Sequence, residues 1–187
     1  MSNNNDNKDE LPYVADWHEL LHEEFKGESD RACVILAASL LDAAMLNILK
    51  NALVPNPSSS DSLFDGANAP ISTFSSRIDL LYRIGIISAN MNRDLHLVRK
   101  IRNQFAHNIT GCDFNESSVR DRVSLLANSS NYQDIPNEWK VKFPDTPKGK
   151  FLFTISWIQW YLREKEKTVE TFHPAQLEWG YISKGGA

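Results

Sequence analysis

The chain has little cysteine, no targeting signature and no phosphate-binding loop, and each absence removes a class of function. Its two cysteines, Cys33 and Cys112, are too few for a disulfide framework and lack metal-ligand spacing. The N-terminus, MSNNNDNKDELPY, is polar and without the basic start and apolar core of a secretory signal. No apolar run is expected to reach the length needed to span a bilayer. Three Asn-x-Ser/Thr matches, at Asn108, Asn115 and Asn128, therefore carry little meaning, and a cytoplasmic protein is expected. There is no Gly-rich phosphate loop, nucleophile elbow or pair of catalytic carboxylates. Convincing strand alternation is missing too, which leaves helices as the building material.

What is present is ordinary soluble composition, 42% apolar and 24% charged, in 187 residues, enough for one full core. The net charge of −4 is unevenly spread. Residues 1 to 30 hold nine acids and two lysines, leaving 15 acids and 18 basic residues beyond them. A body charge near +3 by this count is no dense basic stripe of the kind that tracks nucleic acid.

Residues 1–13 read as a disordered acidic tail, 14–172 as one helical domain and 173–187 as a C-terminal tail. Trp17, Leu20, Leu21 and Phe25 recur at helical spacing and predict a first helix from Ala15 to about Lys26. Ser29 or Asp30 can cap a second, RACVILAASLLDAAMLNILKNAL, apolar almost all round and so expected at the centre. Pro55 and Pro57 mark its end, and residues 54–73 form a long Pro/Ser/Asn loop that Leu63 and Phe64 are expected to pin. A third helix starts at Ser72 or Thr73 and stops at Gly85. The fourth, capped by Ser88 or Asn90, runs to about His107, and Asn115 is expected to cap a fifth. Residues 128–147, with three prolines, read as an irregular crossing. The last helix carries Phe151, Ile155, Ile158 and Leu162 on one stripe, with a peripheral charged end. The expected fold is all-α: a single-domain bundle of about six helices.

The fourth helix ends in RKIRNQFAHN, residues 99 to 108. On a wheel of 100° per residue, Met91, Leu95, Val98, Ile101 and Phe105 form a core-facing stripe. Arg102 falls on the same side, where a charge needs a partner or a groove. Asn103 and His107 share another face, and Arg102 and His107 point about 140° apart. They converge on one phosphate only if the helix ends near Ala106 or a second subunit supplies its copy. Asp42, in the apolar second helix, calls for a cation. Arg102 is the first candidate, with Arg77 and Arg99 as alternatives, and such a pair would hold two helices in register.

The catalytic reading is metal-independent RNA cleavage. His107 would handle the 2′-hydroxyl and leaving-group protons, and Arg102 would steady the phosphorane charge. Elsewhere, His18 and His22 sit four apart on one helix but show no third ligand, so exposed helix histidines are expected and no metal or cofactor. Trp139, Trp157, Trp160, Trp179 and Tyr161 read as core and interface residues ahead of base-stacking platforms.

Residues 31 to 115 resemble the mannitol operon repressor family, through RACVILAASLLDAAMLNIL, FSSRIDLLYRIGIIS and LVRKIRNQFAHN closed by CDF. The Arg102-Asn103-x-x-x-His107 pattern is also similar to that of HEPN domains, all-helical modules that usually dimerise. In active HEPN ribonucleases the arginine and histidine of both subunits line a cleft at the dimer interface. This resemblance implies a homodimer with a site at Arg102, Asn103 and His107 and Asp42 in support. The repressor resemblance implies a regulator in transcription control, and a protein partner is expected because no DNA-reading helix-turn-helix is visible. RNA is the partner under the endoribonuclease alternative, and no membrane is expected under either.

Overall fold

Ser29 decides where the longest helix begins, because its side chain accepts a hydrogen bond from the Ala32 amide at 3.2 Å. In the computed structural model, which describes residues 14–108, 111–134 and 137–174, that helix is α2, Asp30–Ala52. The expected tail 1–13 and all but residues 173 and 174 of the expected tail 173–187 lie outside the described residues, together with the Trp139 side chain. The other helices are α1 (Val14–Phe25), α3 (Phe74–Arg83), α4 (Ala89–His107), α5 (Ser117–Ser129), α6 (Asn137–Lys142) and α7 (Pro147–Thr168). A 3₁₀ turn spans Tyr132–Asp134, and no strand occurs among the described residues. The protein is therefore an all-α single domain, with seven helices among the described residues.

Helices α2, α4, α5 and α7 close a ring in which each packs on the next. Helix α1 lies on α7, and α3 fills the angle between α2 and α4. Two helices form the centre. On α2, Leu41, Met45, Ile48 and Leu49 are fully buried, each stabilising the bundle by about 1.5–3 kcal/mol. On α7, burial goes beyond the predicted Phe151, Ile155, Ile158 and Leu162 to Leu152, Phe153, Thr154, Ser156 and Gln159. This last helix is a second core element and not an amphipathic cover. Gly149 in its first turn permits the approach, since a Cβ there would collide with the Pro144 carbonyl.

By length and mean hydropathy (2.1 over its most apolar stretch) α2 is long and apolar enough to cross a membrane, contrary to the expectation from the sequence. Half of that stretch is buried inside the bundle.

Local signals place most boundaries. Thr73 and Ser76 make a reciprocal capping box on α3. Gly85, at φ +78°, turns the chain out of α3, and Ser88 caps α4. Asn115 does not cap α5. The N-cap is Glu116, and Asp113 Oδ1 instead accepts the amides of Asn115 (2.8 Å) and Glu116 (3.2 Å). The crossing expected to be irregular holds the 3₁₀ turn and α6, pinned by Tyr132, whose hydroxyl donates to the Phe143 carbonyl at 2.6 Å. In the 54–73 loop, Phe64 is buried beneath Lys50, whereas Leu63 is exposed. The segment after α7 is structural rather than peripheral. Thr171 and Phe172 donate to the Asn51 and Ala52 carbonyls and satisfy the end of α2.

Candidate functional site

The end of α4 is held by the starts of two other helices. Arg31, in the first turn of α2, donates through both guanidinium nitrogens to the carbonyls of Phe105 and Asn108. Those are orphan acceptors at a helix C-terminus, so one cation both caps α4 and meets the negative end of its dipole. Beside it, Asp30 accepts from the Phe114 amide at 3.2 Å, tying the α4–α5 connection to the same spot. On the opposite flank Gln104 donates to Glu116 at 2.8 Å and Ser118 at 2.6 Å, and accepts from Arg122. Phe105 fixes the helix from below by packing on Phe114, ring centroids 5.5 Å apart.

On this braced end the motif faces outward. Arg102 and His107 are exposed and Asn103 is half-buried. Among the described residues, Arg102 bonds to its neighbour alone, Nη1 to Asn103 Oδ1 at 3.1 Å. The helix remains α-helical through His107, with Asn108 as C-cap, so the early ending that would bring Arg102 and His107 together does not occur. Within one chain the two side chains stay about 140° apart.

The expected Asp42–Arg102 pair is absent. Asp42 Oδ2 meets Arg77 Nη1 at 2.7 Å, one of the two alternatives, and Arg77 Nε also donates to the Ile71 carbonyl at 3.1 Å. Asp42 therefore braces α2 against α3 and takes no part in the motif. Helix α3 runs antiparallel to α4, joined by His96 Nε2 and Asp79 Oδ1 at 3.0 Å. From Asp79 back to Phe74 only five residues of α3 remain, while Arg102 lies six residues beyond His96. Arg102 is exposed, while Ile101 and Phe105 of the same stripe on either side of it are fully buried. Arg99, the other alternative, is half-buried, with its Nε lacking a hydrogen-bond partner.

The α1 histidines also differ from expectation. His18 is 2% exposed, stacked on Phe153 at 5.2 Å and bonded through Nδ1 to the Ser156 hydroxyl. Burial, helped by nearby Lys142, lowers its pKa to about 4, so it is a neutral core residue at pH 7. His22 is half-buried and edges onto Phe143. Among the described residues no three His, Cys, Asp or Glu groups gather into a metal site. Cys33 is fully buried, and burial pushes its thiol above the usual range. Trp157 and Trp160 are half-buried and pack edge to face against the core.

The structure is thus a helical bundle with one braced helix end whose basic groups face water. The chain belongs to the mannitol repressor family, whose model matches residues 20–157. Its fold is similar to that of a chain in the X-ray structure of the MtlR–HPr complex from Escherichia coli. The TM-score is 0.55 at 18% identity, covering 79% of this chain and 98% of that one. No curated protein matches.

Proposed function

We propose that this chain is a cytoplasmic regulator of the mannitol-repressor type that acts as a dimer through a protein partner, without a helix that reads DNA. The observation that carries this reading is the fold it shares with a family member caught in complex with a protein, HPr, over nearly that chain's full length. The bundle also supports it: apart from a short solvent-facing set of basic groups on α4, its charge is mixed. Duplex binding would need a denser array of phosphate contacts. Titration calorimetry with purified HPr tests the proposal, with a labelled DNA duplex at low salt as the comparison. Saturable HPr binding with no DNA binding is expected. Steeply salt-dependent DNA binding without HPr binding would overturn it.

One observation keeps a second reading, a metal-independent endoribonuclease, in play. Arg102 and His107 are exposed and meet no carboxylate among the described residues. Convergence of the two on one phosphate requires a second copy of α4, so this reading is also dimeric. It predicts EDTA-resistant cleavage of single-stranded RNA to 2′,3′-cyclic phosphate ends, abolished in His107→Ala. Intact RNA after incubation with folded dimer would remove it.

A further inference from the structure

Away from the end of α4, a cavity of about 290 Å³ opens where α4, the end of α5 and α7 meet. We propose that it is the docking site of an acidic segment of the same chain, Asp9 to Tyr13, which lies outside the described residues. The inference depends neither on the motif at the end of α4 nor on a protein partner.

The lining calls for an apolar occupant. Met91, Trp157, Ile158, Trp160 and Tyr161 supply its apolar surface, with the two indoles edge to face and their centroids 5.7 Å apart. Both indoles are half-buried, so ring surface is left to meet water. The polar lining groups already serve one another. The Ser130 and Thr154 hydroxyls bond at 2.9 Å, and Asp94 accepts from Ser129 at 3.1 Å and from Arg93 Nη2 at 2.9 Å. A polar ligand would have to displace those bonds, whereas an aliphatic or aromatic side chain needs only the rings.

The rim adds positive charge. Arg93 is exposed and also donates to the Ser129 hydroxyl at 2.6 Å, which holds its guanidinium beside the lining. Lys165 Nζ lies 5.5 Å from the centroid of Tyr161 and has no ion pair among the described residues. The complement of this surface is an apolar group flanked by carboxylates.

The chain carries that complement next to the site. His18 of α1 meets the Trp157 ring edge to face at 5.6 Å, and α1 begins at Val14, one helical turn before it. Immediately upstream the sequence reads Asp9-Glu10-Leu11-Pro12-Tyr13, two acids followed by three residues with apolar surface. Five extended residues reach about 17 Å, well beyond the single turn between Val14 and His18. The side chains of Leu11 and Tyr13 together hold about twelve non-hydrogen atoms, suiting a volume at the low end of ligand pockets. Residues 175–187, with one glutamate and one lysine, lack the matching charge.

The test is NMR on the full chain labelled with ¹⁵N and ¹³C. Nuclear Overhauser contacts are expected between the Leu11 methyls and the Trp157 and Trp160 rings. Leu11→Ser should shift both indole N–H peaks and leave the His107 ring peaks in place. Glu10→Lys should move the indole peaks along the same line, lowering the docked-to-free ratio about threefold at low salt and less at high salt. An equal mixture of labelled and unlabelled chain should show the contacts to lie within one molecule. Three results would overturn the proposal: no contact from Leu11 to either indole in the native sequence, indole peaks unmoved in Leu11→Ser, or contacts solely between molecules, which would make the occupant a second copy.

Discussion

The polar residues inside the bundle and those at the bare end of α4 are of the same kinds but are used in opposite ways. Inside, Arg77 meets Asp42 and the Ile71 carbonyl, and His18 meets Ser156 and the Phe153 ring. At the end of α4, Arg102 and His107 are exposed, with one bond among the described residues, from Arg102 to Asn103. Water solvates an exposed charge at little cost, whereas a buried one demands a partner. The difference teaches that what covers a polar group, more than its residue type, separates a structural clasp from a surface available for binding.

That contrast can be broken by substitution. Arg77→Met leaves the half-buried Asp42 carboxylate without its cation and frees the Ile71 carbonyl. It should cost about 3 kcal/mol by urea denaturation. A loss below about 1 kcal/mol would show that this pair is no clasp.

His18 gives the next largest effect, read as pH dependence. Its pKa falls to about 4 in the folded state from 6.5, so the unfolded chain binds the proton more tightly. Stability should be fully present above pH 6.5 and decline by about 2–3 kcal/mol as the pH falls towards 4. Urea melts across that window should show the decline in the native sequence and not in His18→Asn.

Arg31→Ala removes the cap from α4 and should cost about 1–2 kcal/mol. Hydrogen exchange should speed up at Phe105 to Asn108 while the first half of α4 stays protected. Uniform acceleration along α4 would mean that Arg31 supports the whole helix and not its end.

Smallest of all, Arg102→Ala and His107→Ala should each move stability by less than about 0.5 kcal/mol. If either approached the cost of Arg77→Met, the exposed motif would be structural and the comparison would fail.

Much of the fold was legible from local signals. Ser29, Thr73 and Ser88 each cap the helix that follows, and Gly85 ends α3, because a cap acts within one turn of its own residue. The apolar circumference of α2 announced a central helix. Helix α7 was harder: one stripe was visible, but Ser156, Thr154 and Gln159 are polar types buried by α1, α2 and α5, and no local rule reveals that. His18 misled for the same reason. Helix α6 was hidden among prolines, and the α5 start was misplaced because Glu116 is its N-cap without any side-chain capping bond, while Asp113 holds the turn before it.

The candidate site was half legible. The residues of the motif could be read from the spacing and from the capped helix end. Arg102 was placed on the buried stripe because a helical wheel treats every turn as equally covered. Only the packing shows that Ile101 and Phe105 are covered while Arg102 between them is not.

Sequence alone determined the all-α class, the positions of the long helices and the identity of the motif, since periodicity and capping act across neighbouring turns. Tertiary structure alone decided that Asp42 meets Arg77, that His18 is buried, that Arg31 closes α4, and that Arg102 and His107 face water. Those outcomes depend on which helix passes over which turn, and that is settled by contacts between segments far apart in the chain.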